Sequence, residues 1–398
     1  MEKWTVHDRV VAILKGNKPD RLPFIDRLEM WYEHHRWAGT LPEEFEGMSL
    51  TGVHAAVGMG QQKFVNPYGL RLRKVDMVYA YEGEVVHRET EPVMEHFLCS
   101  WAPPLVSADK PGITLVEFIT PTGTVSLKYE VSRSNIHKGM EPYPREHLIK
   151  KEADYHIVEY ILGHVEFVPQ FEKIIKEQNE LGDRGFVVPD INRIPFQQIL
   201  LEFLGELPLF YALYDSPSRV KRLINILDEL CTESIHKLAD LPVPYVEFVD
   251  NLDGLMTNPR LFKEYCLPYY QRYVEILHGQ GKKVGSHTDG NLKPLLSLLA
   301  ESGLDVCESI SPAPLSECAF EKIWDAWQNG PIIWGGIPSP ILEERTGESE
   351  FRDYVYRLLE TIGDQPIILG VGDLVMENNL IERIRYIVDQ VEDHVIGG

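Results

Sequence analysis

The chain has 398 residues, of which 44% are apolar and 25% are charged, and it contains 30 glycines and 27 prolines. This composition excludes collagen-like, coiled-coil and largely disordered chains, and the length is sufficient for one large α/β domain. The formal net charge of −22 repels phosphate backbones and anionic bilayers. We therefore expect neither nucleic acid nor a membrane as a partner.

The opening residues lack the apolar stretch of a secretory signal, and no run reaches the roughly 18–20 apolar residues of a membrane-spanning helix. The five cysteines lie far apart and form no CxxC pair, so neither a disulfide framework nor a zinc knuckle is indicated. We expect a cytoplasmic protein whose cysteines are reduced and buried.

The first predicted element is a short amphipathic helix. Thr5 can cap it with Asp8 at the third position, and Gly16 and Pro19 are stop signals. A dense polar and aromatic patch follows, which includes Arg27 and Trp31. This patch is either the wall of a pocket or a solvated helix face with buried tryptophans.

Residues 72–131 alternate β-branched and aromatic residues with turn signals such as Glu82-Gly-Glu. The pattern predicts a β-hairpin-rich insertion near the N-terminus of a single domain that spans residues 1–398. Trp101, which precedes Pro103-Pro104, either lines a lid or packs this insertion onto the rest of the domain.

After Pro144, short apolar runs alternate with long helical segments, which indicates parallel βα units. The predicted strands are 185–189, 245–250, 283–287, 305–310, 332–337 and 367–373. The predicted helices include 217–239, 258–280, 291–302, 348–362 and 377–396. Six such runs favour an α/β (β/α)₈ TIM barrel. The alternative is a doubly wound open sheet, which usually carries a glycine-rich phosphate-binding turn, but Gly370-Val-Gly-Asp lacks the third glycine of such a turn.

Polar residues follow the predicted strands, where a barrel carries its chemistry. They are Glu247, Asp250, Asn251, His287, Asp289, Glu308, Trp334 and Asp373. Converging carboxylates repel one another, and a divalent cation or a cationic substrate would relieve that repulsion. A His287–Asp289 pair held for structural reasons is the alternative. With Glu308 on the next strand, histidine plus carboxylates suits zinc or another first-row divalent ion.

Several motifs, taken in their order along the chain, resemble those of the uroporphyrinogen decarboxylase superfamily. This superfamily includes zinc methyltransferases that work with corrinoid proteins. The matching stretches are 5–16 with Pro19-Asp-Arg-Leu-Pro, 194–205, 214–217, 258–270, His287-Thr-Asp-Gly-Asn, and Gly370-Val-Gly-Asp with Glu377-Asn-Asn. The resemblance spans most of the chain and implies a (β/α)₈ barrel.

The resemblance favours the methyltransferase branch. At the decarboxylase's arginine site, Arg27 matches, but Glu29 and Trp31 would weaken an anion clamp. The methyltransferases carry HxC and a later cysteine as zinc ligands. This chain keeps His287 but has Asp289 at the first cysteine position, and Val371, Gly372 or Asp373 near the second. A metal held by carboxylate oxygens instead of thiolates suits an ether oxygen as the leaving group.

The resemblance thus implies transfer of a methyl group from a small, methoxylated donor to the Co(I) centre of a partner corrinoid protein that carries the cobalamin. The expected catalytic residues are His287 and Glu308, and zinc would be held by these two with Glu247, Asp289 or Asp373. Arg27, Trp31, Trp101 and Trp334 are the expected substrate-binding residues. A metal-free decarboxylase and a non-catalytic binding barrel remain the alternatives.

Overall fold

A computed structural model describes residues 4–94, 110–133 and 142–396. The helices are α1 Val6–Leu14, α2 Glu29–Ala38, α3 Leu50–Val57, α4 Glu152–Leu162, α5 Phe171–Leu181, α6 Pro195–Gln198, α7 Glu206–Asp215, α8 Pro217–Lys237, α9 Pro259–Tyr265, α10 Leu267–Gly279, α11 Leu296–Glu301, α12 Phe320–Ala326, α13 Glu348–Ile362 and α14 Ile381–Asp393. None of the helices in these ranges combines the length and apolarity that crossing a bilayer requires.

The strands lie in one eight-stranded parallel sheet and two smaller antiparallel sheets. They are β1 Ile25–Asp26, β2 Gly60–Val65, β3 Tyr68–Leu72, β4 Asp76–Tyr81, β5 Glu84–Thr90, β6 Val93–Met94, β7 Gly112–Thr120, β8 Gly123–Val131, β9 Tyr143–Glu146, β10 Val165–Pro169, β11 Gly185–Ile191, β12 Tyr245–Phe248, β13 Lys283–His287, β14 Val306–Ile310, β15 Ile332–Pro338 and β16 Ile368–Gly372.

The chain divides into two compact units, and the first comprises 1–65, 172–191 and 242–398. Its eight parallel strands follow the order β1-β2-β11-β12-β13-β14-β15-β16, and a parallel bridge between Phe24 and Leu369 joins the two ends of the sheet. The predicted (β/α)₈ barrel is therefore confirmed.

The barrel interior holds a layer of large rings, in which Phe186, Tyr245 and Trp334 contact one another among buried aliphatic residues. Burial of such side chains drives barrel closure, at about 25 cal/mol for each Å² of apolar surface removed from water. Six of the barrel strands coincide with the apolar runs of the sequence. The two missed strands are β1, which has two residues, and β2, which begins Gly60-Gln-Gln.

The helices largely follow the predicted boundaries, and α1 begins with the predicted capping box, in which Thr5 and Asp8 bond reciprocally. The predicted helix 258–280 is broken into α9 and α10 at Cys266. Pro268 explains the break, since its nitrogen cannot donate to the preceding turn and its ring clashes there.

The second unit comprises 66–171 and 192–241. It contains a five-stranded antiparallel sheet in the order β5-β4-β7-β8-β9 and a three-stranded sheet in the order β10-β3-β6. The hairpin character predicted for 72–131 is present in β4–β5 and β7–β8, whose strands pair across short turns. Trp101 lies outside the described residues.

Candidate metal and active site

Three ionisable side chains lie side by side at the C-terminal ends of neighbouring barrel strands. Glu247 is on β12, His287 ends β13 and Glu308 is on β14. His287 is the direct register partner of Glu308, and Glu247 is paired with Gly285 of β13. Parallel pairing therefore brings residues that are distant in sequence into one buried cluster.

The backbone adopts an uncommon conformation near the C-terminal ends of β12, β14 and β16. Asn251, Ser309 and Asp373 all have positive φ angles, of 47°, 64° and 69°, which are uncommon for residues other than glycine. The amide of Asp373 donates to the Ser309 hydroxyl at 2.8 Å. Such conformations persist only where the surrounding contacts impose them, and they collect at functional sites.

The inner part of the cluster comprises Glu247, His287 and Glu308, all buried. His287 Nδ1 lies 2.5 Å from Glu308 Oε2, and Gln62 donates to the other Glu308 oxygen at 2.9 Å. The Tyr245 hydroxyl donates to Glu247 Oε2 at 2.5 Å. Glu247 Oε1 is buried and has no hydrogen-bond partner among the described residues.

Gly285 makes the Tyr245–Glu247 contact possible. A Cβ at this position would lie 1.8 Å from the Tyr245 hydroxyl oxygen. Any other residue here would displace the ring, and Glu247 would lose its hydrogen-bond donor.

The outer part of the cluster comprises His287, Asp289 and Asp373, and the two aspartates are partly exposed. His287 Nε2 lies 3.7 Å from Asp289 Oδ2, and Asn251 donates to that oxygen at 3.0 Å. In both the inner and the outer group, one nitrogen or oxygen atom from each residue lies within 4.8 Å of the others. Each group could hold a metal ion.

Burial and neighbouring charges shift the pKa values of residues in this cluster. Burial raises the pKa of Glu247 well above its usual value, and the charge of Glu308 adds to the increase. Burial alone would lower the pKa of His287, but the carboxylates of Glu308 and Asp289 raise it well above 6.5. Burial also raises the pKa of Asp373. The cluster thus holds more carboxylates than cations, which a divalent ion would offset.

Asp26 belongs to the same region and was missed by the sequence analysis. Its carboxylate accepts from the backbone amides of Arg27, at 2.6 Å, and of Val371, and so connects β1 to β16. Burial raises its pKa well above the usual value. A two-residue strand leaves little pattern in a sequence, and the only signal was an acid directly after the apolar Leu22-Pro-Phe-Ile.

The remaining predicted residues have different surroundings. Arg27 donates to the Asp373 backbone carbonyl at 2.8 Å, lies 3.6 Å from its carboxylate and stacks on the Phe64 ring. Trp31 is buried and donates to the Asn379 carbonyl at 3.0 Å.

Trp334 is buried in the ring layer of the barrel core. Trp31 and Trp334 thus contribute to packing, and of the expected substrate-binding residues in the described ranges only Arg27 contacts the cluster. Asp250, at another predicted strand end, accepts from Tyr270 and Ser286, which fits a structural role.

Comparisons with known proteins agree with this architecture. Residues 208–394 match the sequence profile of the family described as uroporphyrinogen decarboxylase (URO-D). That range includes His287 and the carboxylates of both candidate metal-binding groups. The resemblance inferred from the motifs is confirmed. A search of curated proteins finds no significant match to this chain.

Among solved structures, a methyltransferase from Methanosarcina mazei aligns with a TM-score of 0.55 and 15% identity, over 98% of this chain and 99% of that chain. At this identity the likeness shows a shared fold. A ribulose-1,5-bisphosphate carboxylase/oxygenase from Pyrococcus horikoshii OT3 covers 82% of this chain and 88% of that chain at 11% identity, but its TM-score of 0.25 supports no argument.

Proposed function

We propose that this protein is a methyltransferase that moves a methyl group from a small methoxylated compound to the Co(I) centre of a corrinoid protein. The observation that carries the proposal is the carboxylate cluster around His287 at the strand ends of the barrel. The resemblance to the uroporphyrinogen decarboxylase superfamily supports the reaction type, and the fold shared with the Methanosarcina mazei methyltransferase is consistent with it.

The residues fit a resident divalent metal. In each of the two groups the donors are nitrogen and oxygen atoms that lie within reach of one ion. In the inner group, Glu247 Oε1 is also a buried oxygen without a partner in the described part of the chain. Histidine with carboxylates is a common ligand set for zinc and other first-row divalent ions.

We infer that the outer group, His287 with Asp289 and Asp373, holds the ion. Glu308 already contacts His287 Nδ1, so Nε2 is the nitrogen left to face a metal. A carboxylate on the far nitrogen of a ligating histidine fixes the ring and raises its basicity. The two aspartates are partly exposed, which leaves room for substrate, whereas Glu247 and Glu308 are buried. In the alternative, Glu247, His287 and Glu308 would be the ligands.

When bound, the metal supplies a Lewis acid that makes the ether oxygen a better leaving group. In the transfer, the bond between carbon and oxygen breaks, a bond between carbon and cobalt forms, and the departing alkoxide takes up a proton. Gln62 and Glu308 hold the His287 ring in place. Arg27 partly offsets the negative charge around Asp373, which would otherwise oppose a developing anion.

The decarboxylase alternative is less well supported. Decarboxylation of a polycarboxylate substrate would need free cations to bind its carboxylates, but Arg27 is already engaged with Asp373. The surrounding acids would repel such a substrate.

The test is a spectroscopic screen in which the protein, loaded with zinc, is mixed with Co(I) cobalamin and single methyl donors. The donors are methoxyaromatics, methylamines, methyl halides and methyl thiols. The proposal expects conversion of Co(I) to methyl-Co(III) with a methoxylated donor, and loss of this activity in His287→Ala. Turnover with none of the donors, or turnover that His287→Ala retains, would contradict it.

A further inference from the structure

A cavity of about 330 Å³ lies between the helices α12 and α13 of the first unit. This volume is at the lower end of the range of about 300–1,000 Å³ that is typical of small-molecule sites. Its walls come from the two helices and from the segments that follow β14 and β15. Of the described residues that line it, none belongs to either candidate metal-binding group. The cavity is therefore separate from the carboxylate cluster.

The floor of the cavity is apolar, and other contacts hold its side chains in place. Phe320 and Leu358 line it, and each is 4% exposed. The Phe320 ring stacks on Trp324 of the same helix, with the ring centroids 6.0 Å apart. The Tyr354 hydroxyl donates to the Gly336 carbonyl of β15 at 2.8 Å and so anchors α13 to the barrel wall. A ligand that enters would meet an apolar surface that is already formed.

Charged side chains of both signs border this floor. Glu321, Glu350 and Arg357 line the cavity and are exposed. Within the part of the chain that the structure describes, none of the three forms an ion pair, and Arg357 Nε donates to a backbone carbonyl of its own helix at 3.3 Å. Arg352, on the same helix, instead pairs with Glu348 at 2.7 Å. The charges at the cavity are thus available to a ligand.

Glu321 and Arg357 both lie near the Tyr354 side chain. Burial raises the pKa of Tyr354, the carboxylate of Glu321 adds to this increase, and the guanidinium of Arg357 opposes it. Glu350, in contrast, precedes Arg357 by two turns of α13, or about 10 Å along the helix axis at 1.5 Å per residue. Glu321 and Arg357 are therefore the pair of opposite charges that one small ligand can contact together.

We infer that this cavity binds a small zwitterion with an apolar body, of the class to which α-amino acids with aliphatic or aromatic side chains belong. The terminal nitrogens of Arg357 donate side by side to the carboxylate of the ligand, which is the geometry that a guanidinium offers. Glu321 accepts from the ammonium group, and the apolar side chain covers Phe320 and Leu358. A simple amine or a simple carboxylate satisfies only one of the two charges.

The test is isothermal titration calorimetry of the metal-free full chain with L-phenylalanine and L-leucine. Three further compounds each lack one feature: phenethylamine lacks the carboxylate, 3-phenylpropionate lacks the ammonium group, and glycine lacks the apolar body. We expect a dissociation constant below about 1 mM for at least one of the two amino acids, and binding at least ~10-fold weaker for the three other compounds. Because the protein is metal-free, the result does not depend on metal binding or methyl transfer.

Two variants assign the charges. Arg357→Gln should weaken amino-acid binding at least ~10-fold and remove the preference over phenethylamine, because the ligand carboxylate loses its partner. Glu321→Gln should likewise remove the preference over 3-phenylpropionate. Both positions are exposed, so the circular dichroism spectrum should not change. The control Glu360→Gln, at an exposed position of α13 outside the cavity, should bind like the parent chain.

Three results would each overturn the inference. The first is that neither amino acid binds at millimolar concentrations. The second is that the parent chain binds phenethylamine or 3-phenylpropionate as tightly as the amino acid. The third is that Arg357→Gln or Glu321→Gln retains the full affinity of the parent chain.

Discussion

Both compact units contain buried carboxylates, but the contacts that offset the charge of these carboxylates differ between the two units. In the second unit, Arg193 Nε lies 3.0 Å from one oxygen of Glu202, and Gln198 donates to the other at 3.2 Å. Both carboxylate oxygens are bonded, so this buried group is complete within the chain itself.

The carboxylate cluster of the barrel, by contrast, includes an oxygen that has no hydrogen-bond partner among the described residues. Its carboxylates are those of Asp26, Glu247, Asp289, Glu308 and Asp373. Within the described ranges, Arg27 and His287 are the only cations that these carboxylates contact, and Glu247 Oε1 has no hydrogen-bond partner there. A buried charge that is fully paired indicates a structural role. Buried acids that outnumber their cations must either take up protons, as the raised pKa values of Asp26 and Glu247 indicate, or bind a cation. The following predictions test this contrast, beginning with the largest effect.

Glu202→Ala should lower the free energy of unfolding by about 3–5 kcal/mol, because Arg193 would become a buried charge that has lost its carboxylate. Urea denaturation measures this loss. The control Glu233→Ala removes an exposed pair with Lys237 in the same unit and should cost only about 0.3–0.5 kcal/mol. A similar loss in the two variants would show that the buried pair has no special role.

His54 shows what burial does to a group that has no charged partner. Burial lowers its pKa to about 4 in the folded protein, from 6.5. Between these values the unfolded chain binds more protons than the folded one, so stability falls as the pH falls below 6.5. The loss should reach roughly 3 kcal/mol near pH 4 from this residue.

Urea denaturation across this pH range should show a smaller slope for His54→Leu than for the parent. His236→Leu, at an exposed histidine of α8, should keep the parental slope. An unchanged slope in His54→Leu would refute the role of His54.

Glu308→Gln should weaken zinc affinity by about 10–100-fold, because the amide can still contact His287 but no longer increases its basicity. Competition with a chromophoric chelator measures the dissociation constant. Glu301→Gln, at an exposed position of α11, should bind zinc like the parent. A total loss of zinc in Glu308→Gln would instead favour the inner group, with Glu308 as a ligand.

Asp373→Asn should change stability less than Glu202→Ala does, and in the opposite direction. In the metal-free protein it should raise the free energy of unfolding by up to about 1 kcal/mol, because it relieves repulsion, and asparagine accepts the positive φ of this position. Thermal unfolding in the presence of a chelator tests this. A clear destabilisation would mean that the outer carboxylates are already balanced without a metal.

The sequence alone predicted the later barrel strands because buried parallel strands have continuous apolar runs that end in a polar residue. This pattern located Glu247, His287, Asp289, Glu308 and Asp373. It failed for β1 and β2, whose short or polar sequences lack such a run, and so Asp26 and Gln62 were missed.

Some properties of the site depend on contacts that a sequence does not display. The sequence does not show that Trp31 and Trp334 are buried, because a tryptophan that packs a core and one that lines a pocket look alike in a sequence. The Tyr245–Glu247 hydrogen bond likewise depends on the absence of a side chain at Gly285, on the neighbouring strand.

The most direct test of the central claim is elemental analysis of protein purified without an affinity tag, after dialysis against zinc and then against metal-free buffer. The account predicts about one zinc per chain, reduced to near zero in His287→Ala and in Asp289→Ala, with the fold retained by circular dichroism. A parent chain that retains no divalent metal, or variants that retain as much as the parent, would contradict it.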